Sequence, residues 1–229
     1  MGGNRCKEPC AVLCPVYRRP AQARACAESL AATRSDLSTR IYFAVDADDD
    51  AEYEGNLIRV PPGPRGMTHA TNVAALQLCE RYDHLMWVGC DHAFRTPGWD
   101  IRFLDAMAEL GGWGFVYGND LLQGENVPTA CMISSKIVEV LGWMSPPCLR
   151  HLYVDNAWLE LGRGIGRIRY LQDVIVEHMH FSVGKSPHDA MYAEVNSNEV
   201  HSADRAAFEE YRAGRMGPDI ARLRAIAGA

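Results

Sequence analysis

Apolar residues fall along the chain in short runs separated by longer stretches in which they recur every three or four positions. Cys10 to Val16 is a compact apolar run stopped by Tyr17-Arg18-Arg19-Pro20, and Pro20 suits the first turn of a helix continuing through Ala32. Arg40 to Asp46 and Asn56 to Val60 read as two further strands. A Pro/Gly loop over 61–66 leads into a helix from about Thr68 to Arg81, followed by a strand from Leu85 to Val88. This β-α-β-β-α-β order predicts a largely parallel sheet with helices packed against it.

The second half is less regular. Gly98-Trp99-Asp100 opens a helix to about Leu110, and Gly114 to Tyr117 makes a strand ending at Gly118-Asn119-Asp120. Ser134 to Leu141 and Val154 to Leu161 read as short helices, and Val174 to Glu177 as the last core strand. Beyond Ser202 the tail is helical and charged, with Phe208, Tyr211, Ile220 and Leu223 as its apolar points, so it is expected to pack on the outside or on a partner subunit. Gly162-Arg163-Gly164-Ile165-Gly166 follows a helix, and reads as a helix end and turn in place of a phosphate loop.

Two strand ends carry the candidate chemistry. Trp87-Val88-Gly89-Cys90-Asp91-His92 closes an apolar run with a carboxylate and an imidazole, and Val174-Ile175-Val176-Glu177-His178-Met179-His180 closes another with two imidazoles. Residues i and i+2 of a strand share a face, so His178 and His180 are expected to point together, with Asp91 completing a divalent-metal site. In α/β sheets such strand ends open onto the ligand crevice. His92 and His188 are weaker candidates, more often turn or surface residues.

Composition sets limits. At 229 residues the chain suits one domain, 48% of it is apolar, and the formal net charge of −6 lacks the overall basicity of most nucleic-acid binders. Six arginines of the second half, Arg95, Arg102, Arg150, Arg163, Arg167 and Arg169, nevertheless offer a local phosphate-binding stripe. The start of the chain shows no apolar signal segment and no stretch is long enough to span a bilayer, so a soluble, cytoplasmic protein is expected. The eight cysteines are expected to be reduced; Cys6, Cys10 and Cys14 lack the paired spacing of a zinc ribbon and read as small core residues.

The order of these motifs resembles the GT-A glycosyltransferases of the family 2 type, over residues 10 to about 185, and is most similar to small enzymes of actinobacteria and their phages. Ala11 to Pro20 resembles the opening strand and loop, Asp46 or Asp48 the aspartate that contacts the nucleobase, and Arg65-Gly66 with Ala70-Thr71-Asn72 the segment over the donor. Gly89-Cys90-Asp91 stands where the Asp-x-Asp motif sits, with Gly89 and Cys90 in place of acidic residues, and Tyr153-Val154-Asp155-Asn156 resembles the later acidic motif. Phe94 to Asp100 and Gly184-Lys185 have counterparts too.

The resemblance implies a single α/β domain of the GT-A type, with a nucleotide-sugar half over 10–92, an acceptor half over 93–185 and a helical tail over 186–229. It implies donor contacts from Pro15, Tyr17, Arg18, Asp46, Arg65, Asn72 and Lys185, metal ligands among Asp91, His178 and His180, and Asp155 as the base. The implied reaction moves a sugar from a nucleotide-sugar donor, UDP favoured, to a hydroxyl with inversion. Mn²⁺ or Mg²⁺ would neutralise the leaving diphosphate. The acceptor stays open between a hydroxymethylpyrimidine in phage DNA, a virion protein and an envelope glycan, as does the oligomeric state. A metal-dependent hydrolase and an inactive nucleotide-sugar-binding module are the rival classes.

Overall fold

The computed structural model describes residues 7–64, 66–186 and 190–226. Arg65, Cys6 and His188 therefore lie outside the described residues.

Eight strands are joined in the order β3-β2-β1-β4-β7-β6-β8-β5. In chain order they are β1 (Glu8–Val16), β2 (Arg40–Asp46), β3 (Asn56–Val60), β4 (Tyr82–Trp87), β5 (His92–Phe94), β6 (Phe115–Asn119), β7 (Cys131–Ser134) and β8 (Ile168–His178). The β3-β2-β1-β4 half is parallel, β7 runs antiparallel to both its neighbours, and β8 is parallel to β6. The eight helices are α1 (Pro20–Thr33), α2 (Met67–Leu78), α3 (Trp99–Glu109), α4 (Ser135–Leu141), α5 (Val154–Ile165), α6 (Ala190–Val195), α7 (Asn198–Gly214) and α8 (Met216–Ala225).

Both faces of the sheet's centre are covered, which explains why β1, β2 and β7 are continuous buried runs. Along β1 the period of two divides the side chains between two cores. Ala11 and Leu13 face the core shared with α2, α4, α5 and the tail helices, while Cys10, Val12, Cys14 and Val16 face the one under α1 and α3. Cys10, Cys14, Cys26, Cys79, Cys90 and Cys131 are buried free thiols and Cys148 is exposed.

Several elements depart from the sequence reading. Strands β5 and β7 are too short, at three and four residues, to give a periodic signal. β8 begins at Ile168, not Val174, because its first half is only partly buried and includes Arg169 and Asp173. There β8 also leaves its partner: Gly118 pairs with Leu171 but Asn119 with Ile175. A Cβ on Gly118 would stand 2.5 Å from the Val174 carbonyl oxygen, so the close approach needs glycine. Gly162 and Gly164 lie inside α5, and only Gly166, at φ 69°, ends it.

The tail is the largest correction. It is no outer appendage: Phe208, Tyr211, Met216 and Leu223 belong to the main core, and Asp204 of α7 is buried, with its carboxylate accepting three backbone N–H groups from residues 150–152.

Candidate active site

The parallel half of the sheet points its carboxyl ends at a cavity of about 310 Å³. Strand β4 delivers Trp87 to its wall and then turns: the His92 amide donates to the Gly89 carbonyl at 3.1 Å, while the Gly89 amide donates to His92 Nδ1, also at 3.1 Å. Asp91 is the residue this turn presents. On the facing strand His178 is the register partner of His92, and the two rings stack with centroids 4.4 Å apart and planes at 16°.

Asp91, His92 and His178 each offer a ligand atom within 4.8 Å of the others. His178 Nε2 lies 3.3 Å from Asp91 Oδ2 and His92 Nδ1 lies 3.4 Å from Oδ1. Adjacent octahedral ligands at about 2.1 Å from a cation are roughly 3 Å apart, so the Asp91–His178 spacing fits a shared divalent ion. A carboxylate with imidazoles suits Mn²⁺ or Mg²⁺, the nitrogen favouring Mn²⁺.

The electrostatics agree. Burial pushes the Asp91 carboxyl up, but hydrogen bonds and charge from His178 and His92 outweigh it and hold the group well below the usual carboxylate range. Burial, and then the charge of His178, lower His92. Burial and Asp91 push the Cys90 thiol up to about 12.

His180 occupies a different place from the one its spacing suggested. The strand ends at His178, so His180 begins a short 3₁₀ turn, where its Nδ1 lies 2.8 Å from the Ser182 hydroxyl. It still lines the cavity, packed against Phe181 and Tyr192, but stands outside the three-residue cluster.

Of the expected donor contacts, Pro15, Tyr17 and Asp46 line the cavity, as does Asp48, which accepts from the Tyr17 hydroxyl at 3.3 Å. Arg18 does not. It sits exposed at φ 52°, its amide held by Asp49 at 2.7 Å, and this reversal before α1 turns Arg19 into the cavity instead. Asn72 is also outside: Oδ1 accepts the Met144 and Ser145 amides, both at 2.9 Å, and Nδ2 donates to the Ser145 carbonyl at 2.8 Å. Lys185 is held at 2.7 Å by Glu177, which also takes Arg95, on the face of β8 turned away from the cavity.

Asp155 lines the same cavity as Asp91. It is in the first turn of α5; the cap position belongs to Tyr153, a non-glycine residue at φ 65°. Burial raises the Asp155 carboxyl, which moves it toward the working range of a general base. The preceding loop contributes Arg150, His151 and Leu152 to the wall, and Gly66 packs so closely on Arg150 that a Cβ there would collide with its carbonyl oxygen.

Four cavity residues escaped the sequence reading as site residues. Arg19 was hidden by its twin Arg18, although Pro20 at the helix start was the clue to where the chain turns. His92 was discounted as a turn residue. His151 and Tyr192 carry no local signal: Tyr192 reaches the site only because the tail folds back, and its hydroxyl donates to Asp91 Oδ2 at 2.5 Å.

The fold is of the GT-A type. Glucosyl-3-phosphoglycerate synthase from Mycobacterium tuberculosis, solved with Mn²⁺, UDP-glucose and phosphoglyceric acid, is similar at TM-score 0.60 and 12% identity, over 87% of this chain and 79% of that one. The mannosyltransferase PcManGT from Pyrobaculum calidifontis, solved with GDP-mannose and Mn²⁺, is similar at 0.53 and 14%, over 98% and 81%. TarS residues 1–349 from S. aureus follow at 0.56 and 12%, over 90% and 73%. At such identities the likeness establishes the fold. No protein-family model and no curated protein sequence matches the chain.

Proposed function

We propose that this chain is a divalent-metal-dependent glycosyltransferase that moves a sugar from a nucleoside diphosphate donor to an acceptor hydroxyl. The observation that carries the reading is the Asp91–His92–His178 cluster sharing one cavity with Asp155. Structural neighbours crystallised with Mn²⁺ or Mg²⁺ and UDP or GDP sugars support the same chemistry, with UDP favoured.

Asp91 and His178 would hold the ion, which when bound neutralises the charge growing on the leaving diphosphate. Asp46, Asp48 and Tyr17 stand at the carboxyl ends of β1 and β2, where a nucleoside would enter. Asp155 accepts the proton of the attacking hydroxyl as it displaces the diphosphate from the anomeric carbon, so the product is inverted. Trp87 and Trp158, their indole N–H groups bound to Thr71 and to the Met144 carbonyl, form an apolar wall between the metal cluster and α5.

For the acceptor, the arginine stripe argues against DNA. Arg95, Arg102, Arg150 and Arg169 face the chain's own Glu177, Asp173, Glu194 and Glu109, and Arg167 stacks on Trp113. Such self-neutralised charge gives little to a phosphate backbone. A hydroxyl on a glycan, a protein or a small metabolite is the better-supported acceptor. Among the described residues no helix is long and apolar enough to cross a membrane.

Titration calorimetry of UDP and GDP with and without Mn²⁺ tests the donor. Binding only with metal supports a transferase, and slow release of free sugar from the matching donor excludes an inactive module. Equal binding without metal counts against the reading, and rapid cleavage of simple phosphate esters points to a hydrolase.

A further inference from the structure

A nucleoside diphosphate brings more negative charge into this cavity than one divalent ion offsets, and the wall already carries Asp46, Asp48, Asp91, Asp155 and Glu194. A fixed cation on the wall is needed. The sequence offered Arg18 and Lys185, but Arg18 is exposed and Lys185 is held by Glu177 outside the cavity. Arg150 does line the wall, but its side chain is exposed, 3.8 Å from Glu194.

Arg19 differs from all three. It is only 9% exposed, lines the cavity and places its guanidinium 4.2 Å from the centroid of the Tyr192 ring. The hydroxyl of that same ring donates to Asp91 Oδ2 at 2.5 Å. One phenol ring thus spans from the guanidinium to the carboxylate that faces His178. Stacking on an aromatic face fixes the plane of a guanidinium while its donors act at the edge, in a fork that matches phosphate oxygens. Its position is no accident of a flexible chain, because Pro20 starts α1 immediately after it and the Arg19 amide donates to the Tyr53 hydroxyl at 3.1 Å.

We infer that Arg19, seated on the Tyr192 ring, is the protein's own cation for the diphosphate of the donor; the inference rests on the donor reading above. It joins two segments far apart in sequence, the β1–α1 loop and the returning tail, into one diphosphate-binding wall beside the metal ligands. Tyr192 has the positioning part. Its ring holds the guanidinium plane, and its hydroxyl keeps that plane in register with Asp91.

The test is calorimetric titration of UDP, GDP and inorganic pyrophosphate, each with Mg²⁺, into wild type, Arg19→Gln, Arg19→Lys, Tyr192→Phe and Tyr192→Leu. Melting temperature and near-ultraviolet dichroism of each variant report its fold. Arg19→Gln should weaken both the nucleoside diphosphate and pyrophosphate by about 10- to 100-fold, the range of a charge-assisted contact. Arg19→Lys should fall in between, keeping the charge and losing the fork. Tyr192→Phe keeps the ring but loses the hydroxyl's hold on Asp91, so it should weaken binding less than Tyr192→Leu, which should approach Arg19→Gln. A folded Arg19→Gln protein with wild-type affinity for both probes overturns the inference; if that variant does not fold, unchanged affinity in Arg19→Lys does so. Full affinity in Tyr192→Leu removes Tyr192 from the wall. Wild-type protein that binds pyrophosphate but neither nucleotide overturns the donor reading, with Arg19 then judged on pyrophosphate, and wild type that binds none of the three overturns both.

Discussion

The carboxylate of Asp204, on α7, ends 2.7 Å from the amide nitrogen of Leu152, in the loop that leads to the proposed base. The same side chain also takes the amides of Arg150 at 2.9 Å and His151 at 2.8 Å. Three donors on one buried carboxylate fix a loop that otherwise has no regular structure. Asp204→Leu should therefore leave three buried amides unsatisfied and destabilise the protein by about 2–4 kcal/mol, with kcat reduced because Asp155 loses its support. Urea unfolding and steady-state kinetics check this, and an unchanged unfolding midpoint would show the loop to be held by other contacts.

The metal cluster gives a graded series. Asp91→Ala should abolish Mn²⁺-dependent nucleotide binding with the fold retained. His178→Ala should be severe and His180→Ala mild, because only His178 faces the carboxylate, at 3.3 Å. Mn²⁺ electron paramagnetic resonance titrations of the three variants measure the order directly, and a His180→Ala defect as large as that of His178→Ala would place both imidazoles on the ion.

For Asp155, Asn keeps the shape and removes the proton acceptor. Turnover should fall by about 10² or more with nucleotide affinity nearly unchanged. Because the cap of α5 is Tyr153 and not Asp155, the melting temperature should hardly move. Near wild-type turnover in Asp155→Asn would sink the mechanism.

His151 sets a pH dependence. Burial lowers its imidazole to about 4, whereas an unfolded histidine titrates near 6.5. Between those values the unfolded chain binds a proton that the folded one does not, so stability falls as pH drops from about 6.5 toward 4 and is fully present above 6.5. The contribution is roughly 1–3 kcal/mol. Thermal melts at pH 7.5 and 5 for wild type and His151→Gln separate it from other groups. The variant should lose less stability on acidification; parallel losses would exclude His151.

Much of the nucleotide half was legible because β1 and β2 are buried along most of their length and β3 alternates between buried and exposed positions. The spans of β2 and β3 agree with the apolar runs read from sequence, and Asp46 could be placed at a strand end, and Asp91 in the loop beyond one, by pattern alone. The second half was harder, since β5 and β7 are shorter than any period and β8 is half exposed. The pairing of His178 with His92 depends on strand order, and Tyr192 and Asp204 act through folding back of the tail; neither relation has a local trace. Arg18 and Arg19 differ in sequence by nothing but position, and a left-handed backbone at Arg18 decides which one faces the ligand.

The slip of β8 between Gly118 and Asn119 makes the site frame-dependent. Before it β8 pairs with β6 alone; after it β8 resumes with Asn119 of β6 and gains β5 on its other edge, where His178 meets His92. Strand side chains alternate faces, so removing a single residue from the looped stretch around Gln172 to Val174 can be absorbed there, whereas removing one between Ile175 and His178 turns the imidazole to the opposite face. The protein therefore concentrates its tolerance for length variation in the slip and has none in the few residues after it. Single-residue deletions scanned along β8, scored by metal binding, should show that boundary as a step.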